Sequence, residues 1–174
     1  MIKKLTIPVE DESKLMELEA GDMVRLTGTL YTARDQAHKR IVETLDKGES
    51  PPFDLKNSMV YYCGPTPERE DGLFGSAGPT TASRMDKMTP RLLEQGMKGT
   101  IGKGERSPEV LEACRKYGAV YLAAFGGTGA YYAGRIKKQE LVAYPELGAE
   151  AVYKLEVEDF PVIVAVDAKG KTIL

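Results

Sequence analysis

Several short stretches of the chain have the pattern of apolar and polar positions that is typical of β-strands. Residues 22–31 roughly alternate apolar with polar types and are rich in β-branched and aromatic residues, which predicts a half-buried strand. Residues 119–125 are almost continuously apolar, which predicts a strand covered on both faces. Residues 4–9 predict a short extended lead-in. Five further stretches are also predicted strands: residues 58–63, 99–102, 140–144, 151–157 and 162–166.

Helical periodicity lies between these predicted strands. Apolar residues repeat every four positions over residues 33–46, and a glycine and two prolines follow, so a helix is predicted there. That helix would carry Arg34, Asp35 and His38 in its first turns. A second helix is predicted over residues 107–117, because a serine in the N-cap position is followed by a proline and an acidic residue. Together with the strands, these helices predict an α/β domain.

A long segment rich in proline and glycine leads from strand 58–63 to Thr80, and loops of this length are uncommon in compact domains unless they are functional. A helix is predicted to begin at Thr80 or Thr81. On such a helix Thr80 and Arg84 share one face, where a hydroxyl and a guanidinium could hold a carboxylate. The alternative is purely structural: one threonine caps the helix and Arg84 pairs with Asp86 or another surface acid.

The composition limits the range of functions. The chain has 174 residues with 24 Lys plus Arg against 26 Asp plus Glu, a net charge of -2, so it lacks the basic excess that drives nucleic-acid binding. One domain is expected over residues 1–174. No stretch reaches the roughly 20 apolar residues of a membrane span, and no membrane association is expected. Because the N-terminus has no signal-peptide pattern, a cytoplasmic location is expected.

Residues suited to metal binding are few. Cys63 and Cys114 are the two cysteines, and they form neither a disulfide framework nor a CxxC pattern. His38 is the single histidine, which is more often a structural hydrogen-bonding group than a catalyst and which leaves too few ligands for most zinc sites. No metal ligands are therefore expected in this chain. If it takes part in metal chemistry, another chain is expected to bring the metal.

Two nucleotide-binding fingerprints are incomplete. The P-loop pattern ending at Lys103 would need glycine where Met97 stands and serine or threonine where Gly104 stands. The dinucleotide fingerprint would need a third glycine where Tyr132 stands. A nucleotide-binding enzyme is therefore the third-ranked hypothesis.

Several long motifs resemble the β subunit of class I, iron-sulfur fumarate hydratases and tartrate dehydratases, which corresponds to the C-terminal domain of single-chain class I fumarases. The resemblance covers nearly the whole chain in order and spacing. It implies a swivelling β/β/α domain with a mixed sheet and flanking helices. The motifs that carry it are LTGTLYTARDQAHKR at 26–40, GPTTASRMD at 78–86, GKGERS at 102–107, YPELGAEA at 144–151 and VEDFP at 157–161.

The resemblance implies a hydro-lyase that adds water reversibly to fumarate to give L-malate. It also implies a [4Fe-4S] cluster held by three cysteines of a partner α subunit, with one iron left for the substrate, in a complex with two copies of each subunit. The chain itself would then be inactive without that partner. L-tartrate dehydration to oxaloacetate, or hydration of a methylated relative such as mesaconate, stays open as the reaction, and so does a non-catalytic module that binds an anionic partner.

When the family's functional residues are carried onto the matching positions of this sequence, the resemblance implies roles for particular residues. Thr80 would lie beside the carbon that exchanges a proton, although a free hydroxyl is too weak a base unless cations such as Arg84 and Lys103 stabilise the alkoxide. Asp35 and His38 are the fallback for proton transfer, because a carboxylate or an imidazole beside Arg34 needs less assistance, and Asp35 is the second choice. The remaining implied site residues fall into two groups: substrate-binding Arg34, Arg84, Lys103, Gly126 and Gly127, and supporting His38 and Thr81.

Overall fold

In the computed structural model, which describes residues 2–67, 69–125 and 129–174, parallel strands form the framework of the domain. The seven strands of the described residues join one mixed sheet. Their bounds are β1 Ile2–Ile7, β2 Met23–Thr32, β3 Met59–Tyr61, β4 Gly99–Gly102, β5 Val120–Ala123, β6 Ile136–Ala143 and β7 Val152–Val166.

The sheet closes on itself. Strands β1 to β5 lie side by side in that order and all run parallel. The long strand β7 runs antiparallel and pairs with both β2 and β5, so β2, β3, β4, β5 and β7 form a ring. Strand β6 pairs antiparallel with β7 outside the ring. A mixed, barrel-like sheet with flanking helices is the α/β fold class that the sequence predicts, and that prediction is confirmed.

Helices flank the ring of strands. The helices of the described chain are α1 Glu12–Met16, α2 Asp35–Asp46, α3 Thr89–Glu94, α4 Pro108–Tyr117 and α5 Gly129–Ala133, together with 3-10 helices at Ala82–Met85 and Pro145–Glu150. Helix α4 begins as the sequence predicts, because the Ser107 side chain accepts a hydrogen bond from the Val110 backbone N–H. It ends at Gly118, whose left-handed conformation (φ 65°) terminates the helix.

Alternate residues of the strands face two separate hydrophobic cores. In β3, Met59 and Tyr61 belong to a cluster made mainly of strand residues, which fills the ring. Val60 between them points the other way and packs with Ile41 of α2 and Val110 of α4. All five side chains are fully buried. Because burial of each such side chain contributes about 1.5–3 kcal/mol, the two cores hold the carboxyl ends of the strands in fixed positions.

Three details differ from the predicted elements. The predicted strands 151–157 and 162–166 are one strand, β7, because an extra residue bulges out between them and the Asp159 N–H bonds to Thr27 Oγ1 at 3.1 Å. Strand β6 starts four residues before the predicted 140–144. Helices α3 and α5 have no counterpart in the prediction, since six and five residues are too few to show a helical period.

Candidate active site

Four neighbouring parallel strands end at the same edge of the ring, and candidate residues follow each of them. Arg34 follows β2, Gly64 follows β3 and Lys103 follows β4. In closed as in open α/β sheets, ligands bind at the carboxyl ends of the parallel strands. The predicted substrate-binding residues Gly126 and Gly127, which follow β5 in the sequence, lie outside the described residues.

Arg34 is the N-cap residue of α2 and its side chain lies against Gly64. A Cβ atom at Gly64 would be 2.6 Å from Nη1 of Arg34, so only a glycine leaves room for the guanidinium at this point. The Arg34 Nε is buried and has no hydrogen-bond partner in the described part of the chain. A buried N–H donor without a partner costs free energy, which favours an anionic ligand at this position.

Asp35 begins α2 and faces Arg84. Its Oδ2 lies 3.8 Å from the Arg84 Nε, and the two side chains are 37% and 54% exposed, so this is a loose surface pair. The other oxygen of Asp35, Oδ1, is buried without a hydrogen-bond partner among the residues described. The alternative expectation was that Arg84 pairs with Asp86 or another surface acid. Asp86 pairs with Arg106 instead, and the surface acid beside Arg84 is Asp35.

His38 is fully buried behind Arg34. Its Nδ1 lies 2.8 Å from the Arg34 carbonyl oxygen, and because a carbonyl can only accept, Nδ1 carries the proton. Burial lowers the pKa of His38 to about 4, with a smaller raising effect from that hydrogen bond and a lowering effect from the charge of Arg106. The neutral ring therefore fixes the backbone at Arg34, which fits a supporting position.

Thr80 lies between the carboxyl ends of β3 and β4, outside any helix. Its N–H donates to the Tyr62 carbonyl at 2.7 Å, and its own carbonyl accepts from the Lys103 N–H at 3.2 Å. The helix predicted to begin at Thr80 or Thr81 begins later, at Ala82, and leaves Thr80 outside it. The structure has a 3-10 helix at Ala82–Met85, and Thr81 precedes it with no capping hydrogen bond from its side chain.

The argument that Thr80 and Arg84 share a helix face therefore fails, but the two residues still lie in one short segment of this edge. Strand-like pairing with the Lys103 loop fixes that segment, since the Ala82 N–H also donates to the Lys103 carbonyl at 2.9 Å. Gly102 makes this approach possible. A Cβ there would lie 3.2 Å from the Thr80 carbonyl oxygen and 2.8 Å from the Tyr62 ring.

A buried ion pair behind this edge was missed by the sequence reasoning. The Arg106 Nε donates to Asp86 Oδ1 at 2.6 Å, and their side chains are 0% and 12% exposed. Both residues stand in the motifs quoted above, at the end of GPTTASRMD and near the end of GKGERS. Apart from their opposite charges, nothing in the sequence indicates that these two positions are in contact.

The cysteines are unsuited to metal binding as they stand. Burial raises the pKa of Cys63 and of Cys114 to about 12, so both are thiols rather than the thiolates that bind iron. They belong to different hydrophobic clusters, on the inside and the outside of the ring. Within residues 2–67, 69–125 and 129–174, no three His, Cys, Asp or Glu side chains are grouped to hold a metal ion.

The sequence matches known proteins along almost its full length. The family model described as Fumarase C-terminus matches residues 2–174. The chain is 44% identical over 159 residues to the aerobic class I fumarate hydratase of Salmonella typhimurium, covering 90% of this chain and 27% of that protein. It is 46% identical over 159 residues to fumarate hydratase 2 of Leishmania major, covering 90% of this chain and 28% of that protein.

A second kind of relative has a length closer to that of this chain. A putative L(+)-tartrate dehydratase subunit beta of Methanocaldococcus jannaschii is 41% identical over 163 residues, which cover 90% of this chain and 84% of that protein. The chain thus spans a little over a quarter of the two fumarate hydratases and most of the tartrate dehydratase subunit. No helix in the described residues is long and apolar enough to span a membrane. Because the family model matches residues 2–174, the chain belongs to the fumarase C-terminus family.

Proposed function

We propose that this chain is the β subunit of a cytoplasmic, iron-sulfur-dependent hydro-lyase that reversibly hydrates fumarate to L-malate. In this role it supplies the groups that bind the substrate carboxylates and the group that transfers a proton. Its relatives include proteins named class I fumarate hydratase and one named tartrate dehydratase subunit beta, which supports the reaction class.

The observation that carries the proposal is the set of cationic side chains at one edge of the ring. Arg34, Arg84 and Lys103 come from three different segments, yet all stand beside the carboxyl ends of parallel strands. A dicarboxylate needs a cation at each end to fix its position as well as its charge. The buried Nε of Arg34 that has no partner within the described chain is a donor that a carboxylate would satisfy.

Proton transfer is assigned first to Thr80 and second to Asp35. The Thr80 backbone is hydrogen-bonded on both sides, to Tyr62 and to Lys103, so its side chain is held at a fixed point next to a cationic loop. A nearby cation is what a threonine hydroxyl needs to act as a base. Asp35 stands at the same edge and its carboxylate faces Arg84.

The [4Fe-4S] cluster is assigned to a partner α subunit. The two buried thiols of this chain do not fit the group, because they lie in separate hydrophobic clusters, inside and outside the ring, and cannot ligate one cluster together. When bound by the partner, the cluster would supply a Lewis-acidic iron to the substrate. The Arg84 side chain is more than half exposed, which leaves this edge of the ring open to a partner. Two copies of each subunit are proposed.

L-tartrate dehydration is the second candidate reaction. The observation that favours it is the tartrate dehydratase subunit from Methanocaldococcus jannaschii, because the match covers 84% of that subunit, whereas the fumarate hydratases are several times longer than this chain. The two reactions use dicarboxylates of the same length, so the same cations would serve both.

Anaerobic co-expression with an α-type subunit encoded beside it tests the function. The complex is assayed for loss of fumarate absorbance and, in parallel, for tartrate dehydration. Fumarate turnover that needs both chains and iron would support the proposal, and turnover of tartrate alone would support the second candidate. An assembled, cluster-loaded complex that turns over neither acid would show that the assigned chemistry is wrong.

A further inference from the structure

A fully buried arginine ties together the two segments that carry the candidate cations. Arg106 lies three residues after Lys103, and Asp86 lies two residues after Arg84. The Arg106 Nε donates to one oxygen of Asp86 at 2.6 Å, and the other oxygen accepts from the Ser107 N–H at 2.8 Å. The Asp86 carboxylate therefore holds both the Arg106 side chain and the backbone at the start of α4.

The rest of the guanidinium is also held in a defined orientation. Its Nη1 donates to Thr100 Oγ1 at 3.0 Å, and its Nη2 donates to Thr89 Oγ1 at 2.7 Å and to Tyr62 Oη at 3.2 Å. The rings of Tyr62 and Tyr121 lie 5.2 and 4.8 Å from its central carbon. A planar fork with several fixed donors fits this site, whereas a lysine ammonium would satisfy only part of it.

Two backbone hydrogen bonds join the same segments at the exposed edge. The Ala82 N–H donates to the Lys103 carbonyl, and the Lys103 N–H donates to the Thr80 carbonyl. Lys103 and Arg84 are themselves exposed at this edge, so their own side chains contribute little to holding the loops together. The buried ion pair provides the second point of attachment that two short loops need for a fixed relative orientation.

We infer that Asp86 and Arg106 are a positioning pair that fixes Lys103 against the segment from Thr80 to Arg84; its catalytic consequence rests on the proposed function. A buried ion pair adds little stability compared with well-packed apolar residues, so stability alone does not account for charges at this place. A requirement for fixed geometry does account for the buried charges, because displacement of a binding group by about 1 Å can cost about a hundredfold in rate.

The test compares Arg106→Lys and Asp86→Asn with a matched control, Lys98→Met, in the complex with the α subunit. Lys98 is also a buried cation, 10% exposed and paired with Glu12 at 2.9 Å, but it lies at the opposite end of β4. Hydrogen exchange is measured at the Ala82 and Lys103 amides, and kcat and KM are measured at a temperature where every variant is folded.

We expect faster exchange at both amides in Arg106→Lys and Asp86→Asn, and a fall of about ten- to a hundredfold in kcat/KM. The Lys98→Met variant should keep both the amide protection and kcat/KM. We also expect the two site substitutions together to cost no more than the worse of the two alone, since each breaks the same link.

Two outcomes would overturn the positioning pair. One is unchanged protection of Ala82 and Lys103 in Arg106→Lys. The other is faster exchange with kcat/KM within twofold of the wild type. Failure of the proposed function is a separate result, because it shows as an inactive wild-type complex, and the exchange measurement then decides the inference by itself.

Discussion

Two arginine sites adjoin the Thr80 segment: the buried Arg106, and Arg34 with Arg84 at the edge of the ring. They differ in how many of their N–H donors have hydrogen-bond partners within the described chain. The Arg106 guanidinium is fully buried and makes four hydrogen bonds to protein groups. Arg34 has a buried Nε without a described partner, and Arg84 is 54% exposed beside a carboxylate 3.8 Å away. Groups that are satisfied within the fold maintain its geometry, whereas unsatisfied groups remain available to a ligand.

Removal of the Thr80 hydroxyl should give the largest effect on activity. Thr80→Ala keeps the backbone hydrogen bonds to Tyr62 and Lys103, so the edge should stay assembled while the proposed proton-transfer group is lost. We expect kcat to fall by about 10²–10⁴-fold. Steady-state assays of the complex check this, with exposed Thr172→Ala as the control. Near-normal turnover in Thr80→Ala would move the assignment to Asp35.

The difference between the two arginine sites should also appear in stability. Arg106→Met leaves Asp86 as an uncompensated buried charge, and we expect the free energy of unfolding to fall by about 3–5 kcal/mol. Arg84→Met breaks only an exposed pair, so we expect a change below about 1 kcal/mol together with a large rise in KM. Urea unfolding of both variants measures these values. Similar losses in the two would remove the distinction between structural and ligand-binding arginines.

His38 is fully buried next to Arg34 and should make the domain sensitive to acid. Its pKa is lowered to about 4 in the folded protein from an ordinary value of 6.5, so below pH 6.5 the unfolded chain takes up a proton that the folded chain does not. The free energy of unfolding should therefore fall as the pH drops from about 6.5 to about 4, by about 3 kcal/mol at most.

The dependence on His38 can be isolated, because this is the only histidine in the chain. Urea unfolding of the wild type and His38→Gln is measured at several pH values from 7.5 to 4.5. The difference between their unfolding free energies should be constant above pH 7 and should change in favour of His38→Gln at lower pH. A difference that does not vary with pH would show that the pKa of His38 is the same in the folded and the unfolded chain.

The smallest expected effect comes from one methyl group at Gly64. Gly64→Ala places a Cβ 2.6 Å from Nη1 of Arg34, and the flexible end of that side chain must move. We expect a several-fold rise in KM with a change in unfolding free energy below about 1 kcal/mol. The matched control is Gly99→Ala, whose Cβ would meet the flexible Met59 side chain at 2.9 Å inside the fold. It should lower stability and leave KM unchanged.

The fold class and most strand positions could be predicted because their signals are local. Residues 119–125 are apolar on both faces and contain β5, and the serine and proline at 107 and 108 begin α4 as predicted. The continuity of β7 could not be predicted, since its bulge depends on pairing with Thr27, which lies far away in the sequence. Short helices such as α3 give no periodic signal.

The candidate site was predicted by resemblance more than by spacing. The i, i+4 argument for Thr80 and Arg84 was wrong, because pairing with the Lys103 loop replaces the first turn of the predicted helix. The role of glycine at 64 and the pair of Asp86 with Arg106 depend on contacts between segments that are separated in sequence. Such contacts exist only after the ring has formed, so a single sequence carries no local sign of them.

The position of β7 in the ring has a consequence for biosynthesis. Residues 152–166 are translated after β2 to β5, and the ring cannot close until they have left the ribosome. Until then β2 and β5 present unpaired backbone groups, which are prone to association with other chains. A nascent chain stalled before Val152 should therefore aggregate or recruit chaperones, and closure by β7 should be a late, slow step in folding.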